Sequence, residues 1–357
     1  MKRILVDARY VKTDGYDGIS RYSECIINAL HKLHPLELLI HDEQQKTKLP
    51  KDAKFHMFHA PTSPQEPFSA RKLNEINHDV FYSPMQTVGL RGKKFPAILT
   101  LHDLIYYEYP EPPKDFAPHI RAIWRLYHKA YFPQRLLLNS ADAVVTVSET
   151  SKAEIEKHRL TSKPVEVVYN AVDRVTPSQK PLSKRKNELV YMGSFIPYKN
   201  VALLVKTINH FPKFKLRLLS KVSSKVKKQL IQLADNPKQL IFDNGVSDKE
   251  YHDILSNAFA AVTASKAEGF GIPIIEAMQV GTPVICSDIP IFHEIAQDAA
   301  LFADNTTELA FVEQLHWLQD QRLWEEQREK GLKQCQKFSW DKSAQKLLEV
   351  LQACILK

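Results

Sequence analysis

Glu268 and Glu276 stand eight positions apart around a glycine turn, Glu268-Gly269-Phe270-Gly271-Ile272-Pro273-Ile274-Ile275-Glu276, and that spacing suits one kind of ligand. Glycines at 269 and 271 let the backbone approach a ligand closely and adopt positive φ, and Pro273 fits the first turn of a helix. Amide N–H groups at a helix start have no intrahelical acceptor, so they attract phosphate. At ~3.6 residues per turn Glu276 lies about two turns beyond Glu268, and one ligand lying along the helix reaches both carboxylates. Carboxylates accept hydroxyl hydrogens, so the segment fits a diphosphate with a polyol on either side, the shape of a nucleotide sugar. The same residues also read as a strand, a tight turn and an amphipathic helix with a solvated Glu at each end.

Positioning such a turn requires sheets and covering helices. Short apolar or β-branched runs alternate with helical patterns, as in parallel sheets covered on both faces. One series holds Ile4-Leu5-Val6, Leu38-Leu39-Ile40, Val80-Phe81-Tyr82, Ala97-Ile98-Leu99-Thr100, Ala143-Val144-Val145-Thr146-Val147 and Val165-Glu166-Val167-Val168. Residues 173–187 carry two prolines, several serines and Lys184-Arg185-Lys186 without apolar periodicity, and read as an interdomain linker. A second series follows: Leu189-Val190-Tyr191-Met192, Leu216-Arg217-Leu218-Leu219, Leu240-Ile241-Phe242, Ala260-Ala261-Val262-Thr263 and Pro283-Val284-Ile285-Cys286. Two open α/β sheets result, with ligands expected outside the carboxyl ends of their strands and in the cleft between domains. The tail, with Ala344, Leu347, Leu348, Leu351 and Ile355 apolar, is a one-faced helix.

Length and composition agree with two domains. The chain has 357 residues, against a prior of ~150 per domain. Hydrophobic residues at 44% and charged residues at 25% are ordinary for a globular protein, which excludes a disordered chain. The opening apolar run, Ile4-Leu5-Val6, is too short for a signal peptide and is followed by Asp7; no run of ~20 apolar residues occurs. Cys25, Cys286, Cys335 and Cys354 have no metal-ligand spacing and read as reduced, mostly buried thiols of a cytoplasmic protein. A formal charge of +8 favours anionic partners, whether nucleotide diphosphates or an anionic lipid surface. Nucleic acid is not expected, since no recognised nucleic-acid motif accompanies the charge.

Several ordered pieces then carry a resemblance: Asp17-Gly18-Ile19-Ser20-Arg21-Tyr22, Leu101-His102-Asp103, Val147-Ser148-Glu149, Asn170-Ala171-Val172-Asp173, Gly193 with Lys199-Asn200, and the block from Glu268 to Glu276. Over nearly its whole length the sequence resembles the family 4 retaining glycosyltransferases of the GT-B fold. The resemblance implies two Rossmann-like doubly wound parallel-sheet domains facing across a cleft. These are residues 1–175 on the acceptor side and 188–338 on the nucleotide-sugar side, with a helix at 339–357 packing back toward the first.

It further implies catalytic roles for His102, Lys199 and Glu268, with His102 touching the donor sugar near the reacting carbon and Lys199 holding the leaving diphosphate. Donor contacts fall to Gly18, Gly193, Ser194, Lys199, Val246, Glu268, Gly269, Phe270, Gly271, Ile272 and Glu276, the last on the ribose. Gly15, Arg21 and Asp103 belong to the acceptor side. The implied reaction moves a hexosyl group, with mannosyl favoured, from a nucleotide-diphosphate sugar to a hydroxyl of a saccharide or lipid-linked acceptor in bacterial surface polysaccharide synthesis. The configuration is retained and neither cofactor nor metal is required. Departures from the pattern are Ser194 and Tyr198, where many relatives carry a second cation, and Ala171, where they carry glycine. Two other readings share the fold: a sugar-nucleotide epimerase and a catalytically silent sugar-nucleotide-binding partner subunit.

Residues 117–138 read as one helix with Arg121, Arg125, His128, Lys129 and Arg135 interleaved with Trp124, Tyr127, Tyr131 and Phe132. Such stripes suit a helix lying on anionic lipid, which would make the protein peripheral on the inner face of the cell membrane. They equally suit aromatics facing the core and solvated bases.

Overall fold

In a computed structural model that describes residues 2–14, 18–112, 118–173 and 175–356, the apolar runs pair as two separate all-parallel sheets. The first unit comprises Met1–Ala171 and Phe338–Lys357, the second Val172–Lys337.

The first sheet contains β1 (Ile4–Asp7), β2 (Leu36–Ile40), β3 (Lys54–Met57), β4 (Val80–Ser83), β5 (Ala97–Thr100), β6 (Ala143–Thr146) and β7 (Val165–Val167), in the order β3-β2-β1-β4-β5-β6-β7. The second contains β8 (Glu188–Tyr191), β9 (Lys215–Leu218), β10 (Leu240–Phe242), β11 (Ala260–Thr263), β12 (Val284–Ser287) and β13 (Leu301–Ala303), in the order β10-β9-β8-β11-β12-β13. Every residue of β1, β4, β5, β6 and β12 is buried, as strands covered by helices on both faces require. Strand order reverses between β1 and β4 and between β8 and β11, and loops leaving those pairs diverge to open a crevice at each strand end.

β3 and β13 were absent from the sequence reading, and both are edge strands. An edge strand needs no continuous apolar run: β3 reads Lys54-Phe55-His56-Met57, with Lys54 and Met57 exposed. Within the stretch read as a linker, Arg185 is anchored. Arg185 is buried in the second unit, where its guanidinium donates to Thr282 Oγ1 at 2.8 Å and to the carbonyls of Gly281 at 2.9 Å and Ala258 at 3.3 Å. The same group lies 5.0 Å from the centre of the Trp324 ring. Burial, then the nearby charge of Arg328, brings its pKa down to about 10, still high enough to keep it charged at neutral pH.

The helix expected over 117–138 is two helices, Pro118–Tyr127 and Phe132–Asn139; residue 117 lies outside the described residues. Pro133 explains the break, because it has no N–H to bond a carbonyl of the preceding turn and is tolerated in the first turn of the second helix. Trp124 and His128 turn inward against Tyr106 and Tyr107, with ring centres 5.0 Å apart in both pairs Tyr106–Trp124 and Tyr107–His128. The outward side carries Ile123, Leu126, Phe132 and Leu136, each about three-fifths exposed or more, beside exposed Arg125, Lys129 and Arg135. Neither sequence reading foresaw aliphatic side chains there.

The helix Trp340–Ile355 belongs to the first unit and packs on the helix Gly18–Leu33, where Tyr22 and Trp340 meet edge to face. Ser343 Oγ donates to the Tyr169 carbonyl at 2.6 Å, fixing the helix against the end of the first sheet.

Candidate active site

In the second unit the loops after the adjacent strands β8 and β11 bring Lys199 and Glu268 together at the reversal of strand order. Lys199 Nζ lies 2.5 Å from Glu268 Oε1, and both side chains are largely shielded from solvent. Ser265 Oγ donates to the same carboxylate oxygen at 2.8 Å. The two loops are stitched by Lys266 N–H to the Tyr198 carbonyl at 2.8 Å, and a third joins them: Asn200 Nδ2 donates to the Asn305 carbonyl at 2.9 Å. Asn200 sits in the left-handed region at φ 54, which its short polar side chain tolerates better than most. Ser194 is exposed in this loop, and Gly193 N–H donates to Ser220 Oγ at 3.2 Å.

The helix Ile272–Gln279 follows directly. Gly271 is its N-cap at φ 97, and a Cβ there would come within 2.9 Å of Phe292 Cε1, so both backbone and packing demand glycine. The positive φ expected in this turn is at Gly271, where the chain enters the helix. Phe270 is buried and anchors the turn, leaving Ile272 and Pro273 half-buried at the helix start. The amino end of this helix, with the positive end of its dipole, therefore follows Glu268 closely in the chain.

Glu276 is 2% exposed, and its Oε2 accepts a 2.8 Å hydrogen bond from the hydroxyl of Tyr251, itself 3% exposed. Tyr251 belongs to the helix Asp248–Asn257, whose start is fixed by a capping box: Ser247 Oγ accepts from Glu250 N–H, and Glu250 Oε2 accepts from Ser247 N–H at 2.8 Å. Before it, Asn244 and Gly245 take φ values of 58 and 108, and Val246 is half-buried at the end of β10. A small apolar cavity of about 20 Å³ lies beneath, lined by Met192, Tyr251, Thr263, Pro273 and Ile274 among others.

In the first unit His102 follows β5, with Nε2 within 2.9 Å of the Pro84 carbonyl after β4 and its ring edge-on to Tyr22 at 4.9 Å. Beneath it runs a buried hydroxyl chain, Tyr22 to Tyr82 at 2.9 Å and Tyr82 to Thr100 Oγ1 at 2.8 Å. Burial holds the Tyr22 phenol up at about 12, so the chain stays protonated at neutral pH. Asp103 Oδ1 accepts from Ile105 N–H at 3.0 Å and shapes the loop. Ser151 Oγ, from the helix Glu149–Lys157, donates to the His102 carbonyl at 3.1 Å. Gly18 and Arg21 occupy the first turn of Gly18–Leu33, Gly18 exposed and Arg21 half-buried; Gly15 lies outside the described residues.

Sequence reasoning missed Ser265, Asn305, Tyr251 and the Tyr22–Tyr82–Thr100 chain. The pattern Ser247-x-x-Glu250 does announce the helix that carries Tyr251, but nothing local pairs position 251 with 276.

The residue pattern of the glycosyl transferases group 1 family matches residues 173–354, and that of glycosyltransferase family 4 matches residues 16–175. The chain belongs to the glycosyl transferases group 1 family. The O-antigen chain mannosyltransferase RfbU of Salmonella typhimurium is 30% identical over 211 residues, which are 58% of this chain and 56% of that protein. The O-antigen chain mannosyltransferase B of Escherichia coli is 27% identical over 265 residues, 69% of this chain and 67% of its own. The sucrose-phosphate synthase of Thermosynechococcus elongatus matches at a TM-score of 0.75 over 99% of both chains, with 16% identity, a likeness of fold. The two Rossmann-like units are thus those of the GT-B fold.

Proposed function

We propose that this protein transfers a mannosyl group, with retention of configuration, from a nucleotide-diphosphate mannose to a hydroxyl of a saccharide or lipid-linked acceptor in O-antigen or related surface polysaccharide synthesis. The observation that carries the reading is the clustering of Lys199 and Glu268 with the glycine turn that starts the helix Ile272–Gln279. The names of the two mannosyltransferase relatives support the sugar.

Departure of a nucleoside diphosphate leaves positive charge on the sugar and negative charge on the phosphates, so stabilisation is electrostatic. A diphosphate carries more negative charge than one carboxylate and competes for Lys199. Ser265 keeps hold of Glu268 during that exchange, leaving its carboxylate to accept hydroxyls of the sugar. Amides at 270–272 and the helix dipole share the phosphate charge, and Glu276 takes the ribose. Retention follows if the acceptor hydroxyl attacks from the face the diphosphate leaves, the C1–O bond to phosphate breaking and the acceptor proton passing to the departing phosphate oxygen. His102 and the acceptor-side residues Arg21 and Asp103 are assigned to the sugar and its acceptor. Lysine and helix end supply the positive charge, so activity without a divalent metal is part of the reading.

The test is turnover of GDP-mannose with a lipid-linked saccharide acceptor. Transfer with an α-anomeric product and full activity in EDTA supports the reading; an inverted product or loss of activity restored by manganese overturns the corresponding part. Donor incubated alone is the control, since an epimer formed there would mark an isomerase.

The working location is an anionic membrane surface. No helix among the described residues is long and apolar enough to cross a membrane. The outward ridge of Ile123, Leu126, Phe132 and Leu136 nevertheless offers apolar side chains amid Arg125, Lys129 and Arg135, with no acid between Pro118 and Asn139. Vesicles containing phosphatidylglycerol should sediment the protein at low salt, and Ile123→Ser with Leu126→Ser should release it. Equal binding by that double variant would remove the ridge from the proposal.

A further inference from the structure

We infer that Tyr251 is a positioning residue for nucleotide recognition, fixing the Glu276 carboxylate in the orientation that accepts a ribose hydroxyl. The inference rests on the assignment of Glu276 to the ribose and adds to it a residue from another helix.

A carboxylate that is 2% exposed has few orientations open to it, and the groups that hydrogen-bond it decide among them. The Tyr251 hydroxyl holds Oε2 at 2.8 Å, which restricts how the carboxylate can turn and so where Oε1 can lie. The phenol is itself held: it is 3% exposed and borders the small apolar cavity with Met192, Pro273 and Ile274. A hydrogen bond to an ionised acceptor in such surroundings is stronger than a neutral one in water.

The sequence order of the supporting parts gives the tyrosine a second connection. Tyr251 is one turn into the helix Asp248–Asn257, and the loop entering that helix carries Asn244, Gly245 and Val246, the last of these among the expected donor contacts. Ser247 and Glu250 lock loop and helix together through the capping box. The loop that carries Val246 and the residue that bonds Glu276 therefore sit on one continuous element.

The test is titration calorimetry on the full chain with GDP, UDP and their 2′-deoxy and 3′-deoxy analogues, using wild type, Tyr251→Phe and Glu276→Gln. Tyr251→Phe should weaken the preferred nucleotide about tenfold, the loss of one charge-assisted hydrogen bond's worth of orientation. It should leave unchanged the affinity for whichever deoxy analogue lacks the hydroxyl that Glu276 holds, because the two changes remove one interaction. A Tyr251→Phe loss of the same size on all analogues, or no loss at all, overturns the inference, since a purely structural role moves every affinity together. If Glu276→Gln leaves nucleotide affinity intact, the ribose assignment itself falls and the inference with it. Binding of neither nucleotide by wild type would sink the nucleotide-sugar reading.

Discussion

Lys199 and Glu268 hold opposite charges 2.5 Å apart in a partly shielded loop pair, and each is assigned a different part of the donor. Removing the lysine therefore removes phosphate stabilisation and also one of the two hydrogen-bond partners of the Glu268 carboxylate among the described residues, the other being Ser265. Lys199→Ala should lower kcat/KM for the nucleotide sugar by about 10²–10³-fold, the usual cost of one preorganised charge-stabilising donor. Glu268→Gln keeps the shape and the Ser265 contact but not the charge, and should reduce kcat more than nucleotide affinity. Steady-state kinetics with calorimetry for the nucleotide checks both; a Lys199→Ala enzyme of normal kcat/KM would contradict the assignment. Glu268 stood out in the sequence by its spacing from the glycines, Pro273 and Glu276, whereas Lys199 was singled out only by the family resemblance. Tyr251, Ser265 and Asn305 were not legible, since tyrosine, serine and asparagine occur on any surface and only the folded chain brings them to their partners.

Gly271 shows how an element, rather than a side chain, is placed. Its φ of 97 and the nearby Phe292 ring both exclude a side chain, so Gly271→Ala should strain the entry to the helix Ile272–Gln279 and cost about 1 kcal/mol or more in stability. Thermal melts with and without nucleotide check this, and a variant of unchanged stability would refute the strain. The helix Asp248–Asn257 offers a pH test. Hydrogen bonds from the Ser247 backbone and hydroxyl lower the Glu250 pKa below 4.5, so its contribution is full above that value and is lost as pH falls through the lower folded value. Ser247→Ala should cost about 1 kcal/mol at neutral pH, as other cap deletions do. The difference in melting temperature from wild type should shrink below pH 4; a gap constant to pH 2 would show that the carboxylate adds nothing. Central strands and their helices were readable because full burial demands unbroken apolar runs. The edge strand β3 was not, because an edge tolerates Lys54; β13 was passed over because its apolar run, Leu301-Phe302-Ala303, is only three residues long, and the helix break at Pro133 was missed because amphipathic spacing persists across the interruption.

Two sheets, each with its own buried core, should unfold as two events. Arg185 separates them experimentally. Its guanidinium satisfies Thr282 and the carbonyls of Gly281 and Ala258, so Arg185→Ala strands buried acceptors and should cost about 2–4 kcal/mol. Calorimetric scanning should then show the second unit's transition lowered and the first unit's unchanged; equal displacement of both would mean the units melt as one. The basic run 184–186 looked like solvated linker because burial of a lone arginine leaves no sign in composition. Only carbonyls distant in sequence reveal why it is there.

The first unit takes its final helix from beyond the second: it runs to Ala171 and resumes at Phe338. On the ribosome, the helix Gly18–Leu33 emerges long before Trp340–Ile355 exists to cover it, so Tyr22 meets Trp340 only after an entire intervening sheet has been made. The flank of Gly18–Leu33 cannot be covered until residues 340–355 are made, and an expression fragment stopped at residue 171 should aggregate more readily than the full chain.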